Sequence, residues 1–179
     1  FVFVGRLVID KGVRELVKAF DALSKQHQNI KLILVGPKEN AHNPKKRAMF
    51  HSIQQNENII TVGFQDDVRP YYAVSNVLML PSYREGFPNA VLQAGAMGLP
   101  SIVSDISGCN EIIEHEVNGL LVPKKNHQEL QKTMEKILVT PNFLESLQKN
   151  ARNRVAESFD KSLVWEELKK EYVKARNEL

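Results

Sequence analysis

The clearest chemical signature lies in segment 84–100, where an acidic side chain, a tight turn and a helix of small residues follow one another. Glu85 supplies the acid, and Gly86-Phe87-Pro88 forms the turn. Pro88 suits the first helical position, because its φ is already helical and it lacks the N–H that would be unpaired there. The remaining free N–H groups and the positive end of the helix dipole favour an anion, most often a phosphate. The segment predicts a loop that leads into a helix whose open amides face an anionic ligand.

Two cations near the start of the chain could serve the same ligand. Gly5 and Arg6 follow an apolar strand, and Lys11 opens the next helix. Arginine presents a planar fork of donors and lysine a flexible point charge, and both suit phosphate oxygens. In isolation they would read as surface cations beside a turn. With the Glu85 loop present, we favour the phosphate role.

These side chains must be positioned by elements in which apolar runs alternate with amphipathic stretches. That alternation predicts βαβ units and a parallel sheet in one α/β domain. The expected strands are Phe1–Val4, Lys31–Gly36, Asn58–Val62, Val77–Leu80, Ser101–Val103 and Gly119–Val122. The expected helices are Lys11–Gln26 capped by Asp10, Asn43–Gln55, Asp67–Val74, Pro88–Met97, a turn at Ile112–Glu114, His127–Leu138, Asn142–Glu157 and Ser162–Asn177. We expect the core in the first five strands and their helices.

Two glycines punctuate the helix that follows Glu85. Gly95 would let another backbone or a ligand come close, and Gly98 can take the left-handed conformation that ends a helix. Open parallel sheets bind ligands beyond the carboxyl ends of their strands, where strand order reverses. Arg6, Lys11 and Glu85 are therefore expected to meet at one edge of a doubly wound, Rossmann-like sheet.

Three motifs resemble those of retaining glycosyltransferases of the GT-B fold, family 4 (glycosyl transferases group 1). The segment from Glu85 is similar to the family pattern E-G-F/x-P-x-x-x-x-E-A, with Gln93 at the second acidic position. Gly5-Arg6-Leu7 with Lys11-Gly12 resembles G-R-L…K-G. Segment 107–122 resembles G-G-x-x-E-I-I…N-G-x-L-V, with Ser107 in place of the first Gly. The resemblance covers essentially the whole chain, and the motifs fall in the family's order.

The resemblance implies that the chain is the carboxy-terminal, donor-binding half of a GT-B enzyme. Such an enzyme transfers a sugar from a nucleoside diphosphate sugar, UDP- or GDP-linked, to an acceptor hydroxyl, here in surface glycan biosynthesis. Arg6 and Lys11 would neutralise the diphosphate and Glu85 would bind sugar hydroxyls, so these three are the candidate catalytic residues. The candidate donor contacts are Gly63, Phe64 and Val68 near the base, Gly5 in the diphosphate motif, and Gln93 at the ribose. The segment Gly86, Phe87, Pro88 and Asn89 would contact phosphate and sugar through its free backbone N–H groups, which Pro88 lacks.

The resemblance also implies that no metal and no cofactor besides the donor is required. No D-x-D pair occurs in the chain, and its five histidines are scattered. The expected partners are the nucleotide sugar, an absent amino-terminal domain and the glycan or lipid-linked acceptor that this domain binds. The fragment alone is expected to be inactive.

Composition sets outer bounds on this interpretation. The net charge of +3 is too mild to indicate nucleic acid or a membrane surface. One cysteine excludes an internal disulfide and indicates a reducing compartment, so we expect a cytoplasmic protein, with the inner face of the membrane as a further place of action. No apolar run approaches the ~20 residues that span a bilayer.

Three alternatives remain open at this point. A non-catalytic nucleotide-binding or regulatory α/β module is the principal one, because Gln93 replaces the usual acid. A phosphoacceptor receiver domain would need paired acids after the first strand, where this chain has Gly5-Arg6. A GT-B epimerase or phosphorylase would share the fold but generally lack the Glu85 loop.

Overall fold

The structure, a computed structural model, describes residues 1–39 and 43–177. Within these ranges six strands form one parallel sheet in the order β3-β2-β1-β4-β5-β6. They are β1 (Val2–Val4), β2 (Leu32–Val35), β3 (Ile59–Gly63), β4 (Leu78–Leu80), β5 (Ser101–Ser104) and β6 (Gly119–Val122). The strand order reverses between β1 and β4. The prediction of a single, doubly wound, Rossmann-like domain is confirmed.

Helices cover the sheet in two groups. They are α1 (Val13–Ser24), α2 (Pro44–Gln55), α3 (Arg69–Ala73), α4 (Asn89–Ala96), α5 (Cys109–Ile112), α6 (His127–Val139), α7 (Pro141–Phe159) and α8 (Lys161–Asn177). Helix α1 packs against α2 and α6, whereas α4 packs against α5 and α7. Because right-handed crossovers run outward from β1 and from β4 in opposite directions, they place α1 and α4 on opposite faces.

The core lies between the sheet and these helices. Phe3, Leu34, Leu78 and Ile102 are fully buried in central strands, as expected for a sheet covered on both faces. The expectation that the core ends at the fifth strand is wrong, because Leu120 of β6 is also buried. Helix α6, which follows β6, packs on that strand and so shields an edge that would otherwise face water.

Glycines hold the carboxyl ends of β1, β2 and β3 at a common edge. The amide of Gly5 donates to Val35 O at 2.9 Å, and the amide of Gly36 donates to Gly63 O at 2.7 Å. A Cβ built on Gly36 would lie 1.9 Å from Gly5 O, so no larger residue fits there without a shift of the backbone. The loops after the three strands therefore have little freedom to separate.

The predicted start of α1 is wrong. A 3₁₀ turn at Ile9–Lys11 precedes the helix. The N-cap of α1 is Gly12, which makes no side-chain capping bond. Asp10 uses its backbone instead, because its carbonyl accepts from the Tyr83 amide at 2.8 Å. A contact with a residue so distant in the chain leaves no local sequence signal.

Other helix ends follow the sequence more closely. Asn43 caps α2 by accepting from the Lys45 amide, and Gly98 ends α4 with φ +76°, both as predicted. Pro88 is the N-cap of α4 and not its first helical residue, because its ψ of 101° is extended. The turn predicted at 112–114 is helix α5, displaced toward the amino terminus, since Ile113 is already extended.

Gly95 is close to another element, as predicted, but that element is a helix. A Cβ built on it would lie 2.6 Å from Val155 Cγ2 and 3.3 Å from Ala151 O of α7. Its small size therefore serves the packing of α4 on α7.

Gly12 provides a test of how tightly the α1 segment is held against the loop after β4. Its φ is +70°, and a built Cβ would lie 1.9 Å from Pro81 O. Gly98 has a similar φ, but a Cβ built on it would meet no atom of residues 1–39 and 43–177 within 4 Å. Both alanine variants carry a left-handed strain of ~1–2 kcal/mol. We expect Gly12→Ala to lose about 2 kcal/mol more in urea unfolding, because it also overpacks. Equal losses for Gly12→Ala and Gly98→Ala would contradict the close approach.

Candidate functional site

An ion pair joins the loops after β1 and β4. Lys11 Nζ lies 2.7 Å from Glu85 Oε1 and 2.8 Å from Oε2, although the two residues are 74 positions apart. The side chains are 25% and 9% exposed. The predicted meeting of Lys11 and Glu85 is therefore present in the structure, at the point where the strand order reverses.

The backbone beside this pair is tightly packed. A Cβ built on Gly108, which precedes α5, would lie 2.0 Å from Gly86 O. Gly108 has φ +81°, and its amide donates to Glu111 Oε1 at 3.1 Å. Glu111 therefore serves to cap the start of α5. Through Gly108, the third motif (107–122) packs against the loop that carries Glu85.

The buried thiol of Cys109 lies near the ion pair. Burial raises the pKa of Cys109 to about 12; the Glu85 carboxylate contributes to the rise, and Lys11 opposes it. A thiol with this pKa stays protonated at neutral pH, so the charge of the Lys11–Glu85 pair is not disturbed by a thiolate.

Arg6 lies at the same edge of the sheet but pairs with a different acid. Its Nη1 is 2.9 Å from Glu39 Oε1, in a pair whose side chains are 60% and 38% exposed. Glu39 also accepts from Lys46 Nζ at 2.9 Å, and Lys46 together with Arg6 holds the pKa of Glu39 below its usual value. Arg6 is thus accessible to a ligand, which would compete with Glu39 for its guanidinium.

The predicted helix amides follow directly after Glu85. Gly86, Phe87 and Asn89 are exposed and Pro88 is buried. The Phe87 ring lies 5.5 Å from the Phe159 ring, which attaches this loop to the end of α7. Asn89 starts α4 and Gln93 follows one turn later, and both are exposed. Residues four apart share a helix face, so Gln93 lies on the same face of α4 as Asn89, one turn farther from the loop.

The residues predicted near a base lie on the other side of β1. Gly63 ends β3 with φ +72°, and Phe64 after it is 68% exposed. Val68 precedes α3 and is half-buried against the core. Along the sheet edge, the β3 loop, the β1 loop and the β4 loop therefore present an exposed aromatic ring, two cations and a carboxylate in that order.

Sequence reasoning missed three residues that shape this site. Glu39 accepts a hydrogen bond from Arg6. Tyr83 donates a hydrogen bond of 2.6 Å to Glu15, which joins the β4 loop to α1. Glu39 follows the Gly36-Pro37 turn at a strand end, a position that could have marked it. Nothing in the sequence indicated that Glu15, on the apolar side of α1, has a tyrosine partner.

The described residues offer neither a metal cluster nor a membrane-spanning helix. In residues 1–39 and 43–177, no group of three or more His, Cys, Asp or Glu side chains is placed to hold a metal ion. Metal-free binding nevertheless stays a prediction. None of the helices in those ranges is both long enough and apolar enough to cross a bilayer.

This fold and site define a class: a doubly wound α/β domain in which an ion pair joins two loops at the reversal of strand order. The sequence profile of the family "Glycosyl transferases group 1" matches residues 1–154. The chain belongs to that family, and the resemblance read from its motifs is confirmed at this level.

Similar proteins agree with this assignment. The chain is 29% identical over 170 residues to the capsular polysaccharide biosynthesis glycosyltransferase CapM of Staphylococcus aureus, covering 95% of this chain and 44% of CapM. It is similar in fold to HepE of Anabaena, solved in complex with UDP (TM-score 0.88, 21% identity, 97% of this chain and 48% of HepE). It is also similar to the carboxy-terminal domain of the group 1 glycosyl transferase LpcC of Francisella tularensis (TM-score 0.81, 21% identity, 89% and 85%). The chain thus spans less than half of CapM and most of the isolated LpcC domain.

Breaking the Lys11–Glu85 pair should destabilise the domain. Lys11→Met leaves a mostly buried carboxylate without its cation, and we expect a loss of about 2 kcal/mol in urea unfolding at pH 7. Lys25→Met is the matched control, because Lys25, the C-cap of α1, forms an exposed pair with Asp21, and losing that pair should cost only ~0.5 kcal/mol.

The double variant Lys11→Met/Glu85→Gln removes both charges and should recover much of the loss. If Lys11→Met and Lys25→Met were equally mild, the pair would not be the partly buried interaction that the geometry shows.

Proposed function

We propose that this chain is the donor-binding domain of a retaining glycosyltransferase that takes a sugar from a nucleoside diphosphate sugar, with UDP or GDP as the nucleotide. The observation that carries the proposal is the meeting of Lys11 and Glu85 at the strand reversal, with Arg6 on the same edge. Family membership gives the reaction class. A similar fold solved in complex with UDP supports the nucleotide.

The order of groups along the edge fits the order of parts in such a donor. The base would lie against Gly63, Phe64 and Val68, after β3. The diphosphate would lie beside Gly5, Arg6 and Lys11, after β1. The sugar would lie beside Glu85, after β4. Neighbouring strands are ~4.8 Å apart, so this series spans roughly 15 Å, the scale of an extended nucleotide sugar.

The chemistry assigned to these groups follows from where charge develops. Cleavage of the glycosidic bond to phosphate leaves negative charge on the diphosphate, which Arg6 and Lys11 would stabilise. The amides of Gly86, Phe87 and Asn89, with the dipole of α4, would add partial positive charge. Glu85 would accept hydrogen bonds from sugar hydroxyls, near an anomeric carbon that becomes cation-like.

Gln93 would contact the ribose. An amide both donates to and accepts from hydroxyl groups, whereas a glutamate only accepts, so the diol contact is kept and a charge is lost. This substitution is the observation that favours the alternative, a non-catalytic nucleotide-binding module. An assay of sugar transfer by the chain joined to its amino-terminal half would separate the two functions.

The domain organisation is also a proposal. The chain covers 44% of CapM, and the acceptor-binding domain would lie in the remaining part of such a protein. The acceptor, a glycan or lipid-linked sugar in surface glycan biosynthesis, would be held mostly there. The 179-residue chain by itself should bind donor weakly and should not turn it over.

Calorimetry tests donor binding directly. We expect the chain to bind UDP or GDP, and Arg6→Gln to weaken that binding about tenfold, the effect of one charge-assisted phosphate contact. Lys25→Gln, which also removes an exposed paired cation, should leave binding unchanged. Absence of heat with both nucleotides, in a folded sample, would refute the proposal.

Glu85→Gln should tighten the binding of UDP while it abolishes any preference for a UDP-sugar. In the chain without ligand, both carboxylate oxygens of Glu85 accept from the Lys11 ammonium, so a diphosphate must compete with them for Lys11. Removing the negative charge should favour UDP by roughly 1 kcal/mol, or about fivefold in Kd.

Glu57→Gln gives the same charge change at an exposed position before β3, at the opposite edge of the sheet, and should have no effect. A Glu85→Gln variant that binds UDP more weakly would contradict the competition.

A further inference from the structure

A buried carboxylate outside the proposed donor contacts is held on all sides. Glu15 lies on α1 with its side chain only 4% exposed. Its Oε1 accepts from Arg14 Nε at 3.0 Å and Nη2 at 2.7 Å, and its Oε2 accepts from the Tyr83 hydroxyl at 2.6 Å. Burying a carboxylate is costly unless such partners are present. A well-packed apolar side chain at this position would serve stability equally well, so stability alone does not account for the charge and its hydrogen bonds.

The position of this cluster connects it to the site. Glu15 lies four residues after Lys11 in the chain, and Tyr83 lies two residues before Glu85. The Tyr83 amide donates to Asp10 O at 2.8 Å, directly beside Lys11. Tyr83 therefore contacts the Lys11 segment through both its backbone and its side chain, and it does so from the loop that presents Glu85.

We propose that Glu15 and Tyr83 are positioning residues: their hydrogen bond ties α1 to the β4 loop and so sets the spacing between Lys11 and Glu85. This inference rests on the proposed function, in which Lys11 binds the phosphate and Glu85 the sugar of one donor. A donor of fixed length requires these two groups at a fixed separation, and small displacements in such sites are expensive. A directional bond between a hydroxyl and a carboxylate sets that separation more sharply than apolar packing.

The tyrosine is suited to this task. Burial, followed by the bond to Glu15, raises the pKa of Tyr83 to about 12, so the hydroxyl remains a donor throughout the neutral range. Lys125 lies over the Tyr83 ring, with its Nζ 4.8 Å from the ring centroid. A phenylalanine would keep that contact and lose the hydroxyl, with its bond to Glu15 and its weaker interaction with Arg14.

The first arm of the test uses the chain without nucleotide. Amide hydrogen exchange is measured for Tyr83→Phe, for Glu15→Gln, whose amide oxygen can still accept from Tyr83, and for the unsubstituted chain. We expect Tyr83→Phe to lose at least tenfold protection at position 83 and Glu15→Gln to lose little. Tyr72→Phe is the matched control, because it removes a buried hydroxyl that donates to Ala90 O at 3.3 Å, away from this cluster.

The second arm measures the ratio of the Kd values for UDP and UDP-glucose. Tyr83→Phe should move this ratio toward one, whereas Glu15→Gln should keep it. A lower melting temperature with an unchanged ratio would show a merely structural role and overturn the proposal.

The two arms separate the two ideas. Unchanged exchange at position 83 in Tyr83→Phe overturns the tether whether or not nucleotide binds. If the chain binds GDP instead of UDP, the same ratio is measured with GDP and a GDP-sugar. Failure of the unsubstituted chain to bind any of these ligands refutes the proposed function, and it refutes the positioning role with it even where exchange shows the tether.

Discussion

The organisation of this domain depends on an ion pair formed largely out of water. Lys11 and Glu85 neutralise each other at 2.7 Å, with the carboxylate 9% exposed. Either charge would be costly at this depth without the other, because burial removes part of its hydration. The pair therefore requires the loops after β1 and β4 to stay together, and the sheet satisfies this by placing those strands side by side at the reversal of strand order.

Small residues make this proximity possible. The carbonyl of Pro81 packs directly against the Cα of Gly12, and the carbonyl of Gly86 packs in the same way against Gly108. Both glycines have positive φ, a region that other residues enter only with strain. The site is thus built from closely apposed backbones, on which a few charged side chains are mounted. Such closely packed backbones have little freedom to move apart, which suits the proposed ligand, whose base, diphosphate and sugar would be contacted by three different loops.

Charge is stored in pairs throughout the site. Arg6 forms an ion pair with Glu39, and Lys11 forms one with Glu85. Glu15 forms an ion pair with Arg14 and accepts a hydrogen bond from Tyr83. Where a pair is exposed, as for Arg6, a ligand anion can replace the carboxylate at little cost. Where it is buried, as for Glu15, replacement is expensive and the pair acts as a fixed support. Exposure therefore marks the Arg6 pair as exchangeable and the Glu15 pair as permanent, and the Lys11–Glu85 pair, with side chains 25% and 9% exposed, lies between them.

The sequence by itself determined the fold class, the positions of the strands and the identities of Lys11 and Glu85 as site candidates. It could do so because periodicity, turn residues and strand ends are local properties. It misplaced the start of α1 and helix α5, and it missed Glu39, Glu15 and Tyr83. Each of these depends on a partner far along the chain: Asp10 on the Tyr83 amide, Gly108 on the Gly86 carbonyl, Glu15 on a hydroxyl from another loop. Only the tertiary structure decided which charges meet, because the energy of an ion pair depends on distance and burial, and neither is written in the spacing of residues along the polymer.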